Sequence, residues 1–374
     1  MPGAIVNAPE LAGWLWRWRP GLRGEPIPDR RSSHSQERTI ADRGETLSAH
    51  SFPLVVIVGP TAAGKSGLAV TLAEALSGEI VSADAMQMYR GLDIGTGKVD
   101  AETLGRVPHH CLDLVAPYER TSAGKYARSA GTAVEGILDR GHLPIVVGGS
   151  GFYLRALLEG LAPLPVQDDN WRHALEAIEK RRGLAYLYDM LLALDAEWAT
   201  QVGHADRQRI RRGLEVTLRC GEPISSILAR EGWIEPGYET LWVGLTWPRK
   251  ILRSRIADRI DAMLEAGWVD EVRALLESGV SREAPALRAI GYRELAAHLA
   301  GEASLAEARE SIVKSTRQYA KRQMTWFRKQ TPAEWFERSS TEEADREAVE
   351  TQALSFVSAR LDKYRRTLDR DATR

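Results

Sequence analysis

The order of apolar runs in this chain predicts an α/β fold: a parallel sheet with helices on both faces, interrupted by a helical insertion and followed by a helical C-terminal region. Three observations carry that expectation. Four short apolar runs alternate with amphipathic segments, as strand-helix-strand units with parallel strands require. The first run opens directly into a glycine-rich loop that contains lysine and leads into an apolar helical pattern. Between about Asp168 and Tyr238 the pattern is almost wholly helical.

The elements follow in order. Leu54 to Val58 are five apolar residues, four of them Val or Ile, before the loop glycine, which suits a buried parallel strand. Leu68, Leu72 and Leu76 then recur at helical spacing. Glu79 to Asp84 (EIVSAD) reads as a second strand ending in a carboxylate. Ala123 to Arg140 reads as an amphipathic helix leading into a third strand, Leu143 to Gly149 (LPIVVGG). Leu241 to Trp247 (LWVGLTW) reads as a fourth, and from Arg249 to the end the pattern is helical. The expected divisions are 1–50, an N-terminal extension; 51–167, the first part of the sheet domain; 168–238, the helical insertion; 239–335, a return to the sheet domain with basic helices; and 336–374, a helical tail. No internal repeat is present.

Composition narrows the class. A chain of 374 residues, 44% hydrophobic, buries a substantial core in about two domains. A net charge of -1 excludes a global polycation, so any nucleic-acid surface is a local patch. Cys111 and Cys220 stand far apart and form no metal or redox motif. Residues 1–50 carry scattered Pro, Gly, Ser and charge without a period and are expected to be disordered. Their WLWRWRPGLR patch is too short to span a bilayer and too rich in Arg for a signal segment. No stretch approaches the length of apolar sequence that crosses a membrane, so the expectation is a cytoplasmic protein, with a monomer as the default.

Gly59, Pro60, Thr61, Ala62, Ala63, Gly64, Lys65 and Ser66 fit G-x-x-x-x-G-K-[ST] between a strand and a helix, a P-loop NTPase-like arrangement. Glycines let successive amides point at one anion, and the helix N-terminus adds partial positive charge. Lys65 would reach the terminal phosphates and Ser66 would ligate Mg2+. An ATP-hydrolysing protein would carry an apolar strand ending in Asp, whereas LPIVVGG ends in glycines followed by Ser150. Attention passes to Asp84, at the carboxyl end of the second strand, where ligands of open parallel sheets gather. A carboxylate there binds a metal, orients Lys65, acts as a general base, or merely caps the next element.

The segment SADAMQMYRGLDIGTGK resembles the tRNA dimethylallyltransferases, whose pattern is close to S-x-D-S-x-Q-x-Y-x-G-x-D-I-G-T-A-K; Ser82, Asp84, Gln87, Tyr89, Gly91, Asp93, Ile94, Gly95, Thr96 and Lys98 match. PHHCLDL from Pro108, VGGSGFYLRALLEGLAPLP from Val147, DRQRIRRGLEV from Asp206, AIGYREL and TRQYAKRQMTWFRK continue the resemblance in order to about Arg328. It implies transfer of a dimethylallyl group from dimethylallyl diphosphate to the exocyclic amine of the adenosine beside the anticodon, in tRNAs reading codons that begin with U. The loop would then hold a leaving diphosphate. Asp84 would take the amine proton, with Lys65, Ser66, Ser150 and Arg249 completing the catalytic set. The resemblance implies RNA contacts at Asp84, Ala85, Met86 and Gln87, at Arg172, at Gln208, Arg209, Ile210, Arg211 and Arg212, and at Arg288, Ala289, Ile290, Gly291, Tyr292 and Arg293. Gln87 offers an amide that suits an adenine edge. The insertion would grip the anticodon stem-loop. Ala85, Gly97, Val99 and Gly213 depart from the family pattern, Gly97 and Val99 loosening the turn after Thr96.

Between Lys314 and Lys329 six cations occur without an acidic residue. Lys314, Arg317, Lys321 and Arg328 share a helical face opposite Val313, Ala320, Met324 and Phe327, and Arg322 adjoins them. Such a face neutralises phosphates without reading sequence. A small-molecule P-loop kinase, with Asp84 as base toward a hydroxyl and ATP in the loop, is the alternative; a nucleotide-gated RNA-binding protein without chemistry is another.

Overall fold

The computed structural model describes residues 53–231 and 237–372; the expectations for residues 1–50 lie outside them. Six strands, all paired in parallel, make one sheet: β1 (Pro53–Val58), β2 (Gly78–Ser82), β3 (His109–His110), β4 (Leu143–Val147), β5 (Glu239–Thr246) and β6 (Glu334–Glu337), in the order β3-β2-β4-β1-β5-β6. Their connections carry α1 (Lys65–Leu76), α2 (Ala101–Arg106), α3 (Ala123–Asp139) and α4 (Gly151–Leu158). β1 is central because both its faces are covered: Leu54 to Val58 are fully buried, with Val55 opposite Ile145 on one side and Leu241 on the other. α3 begins where the Ser122 hydroxyl accepts from Lys125 N, and it buries Tyr126, Ala130, Val134 and Ile137 at helical spacing.

Contacts divide the chain into two units, one within Leu161–Ile234 and one made of Ser48–Gly160 and Glu235–Arg374. The first is helical: α5 (Asp169–Arg182), α6 (Leu184–Leu194), α7 (Ala196–Val202), α8 (Arg207–Cys220) and α9 (Ile224–Glu231). Leu175, Leu187, Leu191, Ala199, Ile210 and Leu214 form its core. The second holds the sheet and adds α10 (Arg249–Glu265), α11 (Trp268–Glu277), α12 (Tyr292–Leu299), α13 (Leu305–Gln330) and α14 (Glu343–Ala372). α13 starts on a reciprocal cap, Ser304 Oγ accepting from Glu307 N while Glu307 Oε2 accepts from Ser304 N.

Three expectations are corrected. The segment after Arg249 is not wholly helical, because β6 joins the sheet beside β5 and straddles the expected boundary at 335. β3 also went unforeseen; at two residues it shows no period. β2 stops at Ser82 and β4 at Val147, so Asp84, Gly148 and Gly149 lie in loops. Among the described residues no helix is long and apolar enough to cross a membrane.

Candidate active site

The phosphate loop joins β1 to α1, and Ala62 takes a left-handed φ of 63° that only a tight turn imposes on a residue with a side chain. The loop is held from behind: Trp247 Nε1 donates to Ala63 O at 2.9 Å and Arg255 Nε to Ala62 O at 3.1 Å, while the Arg255 guanidinium stacks on Trp247. Lys65 Nζ donates to Pro60 O at 2.9 Å. Burial, and then repulsion from Arg259, push the Lys65 ammonium down to about 8 against the attraction of Asp84. The three charges thus share one site at the carboxyl end of the sheet. Ser66 is exposed on the first turn of α1, with Gly64 and Gly67 beside it.

Asp84 is half-buried, and among the described residues its carboxylate accepts one hydrogen bond, from Met86 N at 2.9 Å. Its loop is clamped to the end of β4: Ala83 N donates to Val147 O at 2.7 Å, Ser150 N to Ala83 O at 3.2 Å, and Ala85 N to Ser150 Oγ at 3.2 Å. Ser150 therefore acts on the backbone next to Asp84. The negative charge of Asp84 also raises the Tyr153 and Tyr319 hydroxyls, in each case after burial, the larger cause.

Gln87 is occupied by the protein. Its carbonyl accepts from Ser82 Oγ at 2.8 Å and its amide donates to Thr96 O and Gly97 O, each at 3.3 Å. Through these bonds Gln87 braces the Asp84 loop against the DIGTGK turn. That turn is not loose. Glu271 accepts from Asp93 N, Ile94 N, Gly95 N and the Tyr292 hydroxyl, and Lys98 bonds Tyr89 O, Asp93 and Asp113. A Cβ at Gly97 would stand 2.1 Å from Arg259 Nη2, so glycine there makes room for the guanidinium.

Arg249 and Arg259 share α10 but part company. Arg259 is the cation whose charge bears on both Lys65 and Asp84. Arg249 is exposed on the first turn and lines a groove of about 750 Å³ between α10 and α13, together with Arg253, Lys314, Arg317, Lys321 and Arg328. The groove floor is apolar, with Leu252, Ile256, Val313 and Met324. Sequence reading singled out Arg249 and missed Arg259, ten residues on. It also missed Gln323, a buried amide of α13 that accepts from Thr61 N and donates to Gly149 O, each at 2.9 Å. A Cβ at Gly149 would lie 2.1 Å from Gln323 Nε2 and one at Gly148 2.2 Å from Ala83 O, which explains the two glycines after β4.

The residues expected to meet RNA divide into exposed and buried, and three of the exposed ones are ion-paired: Arg209 with Asp206, Arg288 with Glu283 and Arg293 with Glu294. In the helical unit Gln208 and Arg209 are exposed, but Ile210 is fully buried in the core. Arg211 pairs with Glu176 and Glu179, Arg212 with Glu215 and Pro165 O, and Arg172 donates to Gln167. In the other unit Arg288 and Arg293 are exposed and Ala289 and Ile290 half-buried, while Gly291 and Tyr292 are buried. Tyr292 is therefore corrected to a support that donates to Glu271 at 2.5 Å and packs on Trp268. On α13 Lys321 and Arg322 are exposed, and Arg317 donates to Arg253 O while its Nε is buried without a partner. Val313, Ala320 and Phe327 are buried as expected, Met324 partly so.

The fold and this loop define a P-loop NTPase-like protein, and a carboxylate on the second strand's loop, in place of one after β4, sets the site apart from nucleotide hydrolysis. Comparison with known proteins then places it: the IPP transferase family model matches residues 87–330 and an isopentenyl transferase model residues 52–113, and the chain belongs to the IPP transferase family. A tRNA dimethylallyltransferase of Geobacter sulfurreducens is 45% identical over 303 residues, 81% of this chain and 96% of that protein. One of Symbiobacterium thermophilum is 42% identical over 307 residues, 81% and 95% of the two chains. Among solved structures, the full-length tRNA isopentenylpyrophosphate transferase of Bacillus halodurans matches with a TM-score of 0.62 at 34% identity, covering 85% of this chain and 99% of that one. A eukaryotic dimethylallyltransferase acting on tRNA matches with a TM-score of 0.70 at 26% identity, covering 83% and 80%. None of these matches supports the kinase alternative.

Proposed function

We propose that this enzyme transfers a dimethylallyl group from dimethylallyl diphosphate to the exocyclic amine of the adenosine beside the anticodon, in tRNAs reading codons that begin with U, with release of diphosphate. The observation that carries the reading is the placement of Asp84: a carboxylate with one backbone hydrogen bond, facing the cations that would hold a diphosphate. The amine nitrogen attacks the first carbon of the allyl chain, the carbon-oxygen bond to diphosphate breaks, and Asp84 takes the amine proton. An aryl amine is a weak nucleophile, so positioning and stabilisation of the leaving group supply most of the barrier reduction. Lys65, Arg259 and the amides of Gly64 to Ser66 would neutralise charge developing on the departing oxygen. Ser150 would hold the loop that carries Asp84.

Ser66 suits Mg2+. That ion keeps most of its waters and needs one protein hydroxyl plus substrate phosphate oxygens, and no cluster of three His, Cys, Asp or Glu occurs among the described residues. Bound there, Mg2+ would offset diphosphate charge.

A stacked loop base does not reach Asp84, so the adenosine must be splayed out of the anticodon loop. Arg317, Lys321 and Arg322 on α13, Arg249 and Arg253 across the groove, and exposed Arg288, Arg293, Gln208 and Arg209 are the side chains offered to RNA phosphates and bases. The reading includes a cytoplasmic enzyme working as a monomer. Its test is transfer of radiolabel from dimethylallyl diphosphate to unmodified bulk tRNA. Label is expected with the wild type and at a rate about 10²–10⁴-fold lower with Asp84→Asn at unchanged tRNA affinity. Wild-type protein that leaves tRNA unlabelled while consuming ATP would return the loop to the kinases.

A further inference from the structure

α13 does two things with adjacent residues. Lys321 and Arg322 are exposed on it, while the next residue, Gln323, turns inward and is 6% exposed. Its amide closes a bridge between two loops of the site. Gln323 Oε1 accepts from Thr61 N of the phosphate loop and Gln323 Nε2 donates to Gly149 O after β4. This orientation is the one that satisfies both backbone groups. Tyr319, one turn earlier, donates its hydroxyl to the same Gly149 O at 3.4 Å. Ser150 in turn holds Ala85 N, next to Asp84. One turn of α13 therefore touches the loop for the leaving group directly and reaches the loop for the base by way of the Gly149–Ser150 segment.

We propose that Gln323 is a positioning residue that couples RNA docking on α13 to diphosphate binding in the phosphate loop. The inference rests on the prenyl-transfer reading for the identity of its two ligands. The physical argument is one of tolerance. Hydrogen bonds of 2.9 Å fail on displacements of well under 1 Å, and helix shifts of about 1–2 Å at an interface are one recurrent form of allosteric transition. A shift of α13 on engaging phosphates thus cannot leave Thr61 and Gly149 where they are while Gln323 stays bonded. By linkage the two ligands then change each other's affinity by the same factor, typically about 5- to 150-fold. A loop whose Thr61 amide is released binds the anion with the same affinity in either state of the helix.

The test uses the full chain and no turnover. Calorimetry measures inorganic pyrophosphate binding in the presence of Mg2+, with and without a saturating unmodified anticodon stem-loop RNA. For the wild type, RNA is expected to change pyrophosphate affinity by roughly tenfold. In Gln323→Ala the change shrinks to about twofold or less while the RNA affinity is retained. Gln323→Met fills the same space without the amide and serves if the alanine variant fails to fold. Lys321→Ala, measured at saturating RNA, keeps the coupling and separates it from RNA affinity. A wild type whose pyrophosphate affinity ignores RNA, or a folded Gln323→Met that keeps the full change, overturns the proposal. Failure of the prenyl-transfer reading shows separately, as wild-type enzyme that leaves the RNA unlabelled.

Discussion

Glu79 sits near the start of β2 and Asp84 in the loop beyond its end, and their surroundings are reversed. Glu79, near the start of β2, is 2% exposed and saturated: Arg140 holds both its oxygens at 2.8 and 2.7 Å, and His110 Nε2 and His142 Nδ1 lie 2.6 and 2.8 Å away. The Arg140 bonds, opposed by burial and helped by the two histidines, bring its carboxyl down to about 2. Asp84, beyond the other end, has one backbone donor and a pair of cations that also belong to a substrate anion. A carboxylate whose lone pairs are spent on the protein holds the sheet together. One with capacity left, at the carboxyl end of a parallel sheet, is available for chemistry.

The largest effect should come from breaking this contrast at its two ends. Asp84→Asn is expected to lower the transfer rate by about 10²–10⁴-fold with no fall in melting temperature. Glu79→Gln should leave the rate intact while lowering stability by about 2 kcal/mol. Thermal unfolding alongside single-turnover labelling checks both, and a rate loss in Glu79→Gln would erase the distinction. Next in size is the pair of arginines on α10. Arg259→Ala is expected to reduce turnover by about 10²-fold at saturating tRNA. Arg249→Ala should leave that turnover near wild type and lower the salt slope of tRNA binding by about one. Equal rate losses in both would return Arg249 to the diphosphate.

Smaller still is a pH effect. With the Lys65 ammonium at about 8, pyrophosphate affinity should fall as pH rises through that value, because the charge that binds the anion is lost. The drop is about tenfold per unit well above it. Lys65→Met, measured beside the wild type, should lack this step, and matching profiles would sink the assignment. The smallest effect is on the acid limb. Glu79 is depressed in the folded state, so its contribution is complete above its ordinary value of 4.5 and is lost as pH falls from there through about 2. The stability gap between wild type and Glu79→Gln should therefore close across that window in acid unfolding curves.

Legibility from sequence followed periodicity and locality. β1, β4, β5 and α3 show their periods over five or more residues, and the phosphate loop is a contiguous motif. β3 and β6 are too short to show one, and β6 joins the sheet only because β5 offers it an edge. Asp84 was readable because it sits just past a strand end. Arg259 was not, since nothing in RKILRSRIADRI marks which arginine turns toward the loop. Gln323 lies 262 positions from the amide it holds. Tyr292 drew attention as a recognition residue, but burial and its bond to Glu271 spend it on the scaffold.

By itself the sequence determined a phosphate-binding sheet protein of the IPP transferase kind, with Lys65, Ser66 and Asp84 at its centre, because strand period, loop glycines and motif order are local properties of the chain. The tertiary structure alone decided which cations complete the site, which carboxylate is spent, and that α13 reaches the phosphate loop through one buried amide. Those outcomes depend on distances between residues remote in sequence, which packing sets and no local pattern encodes.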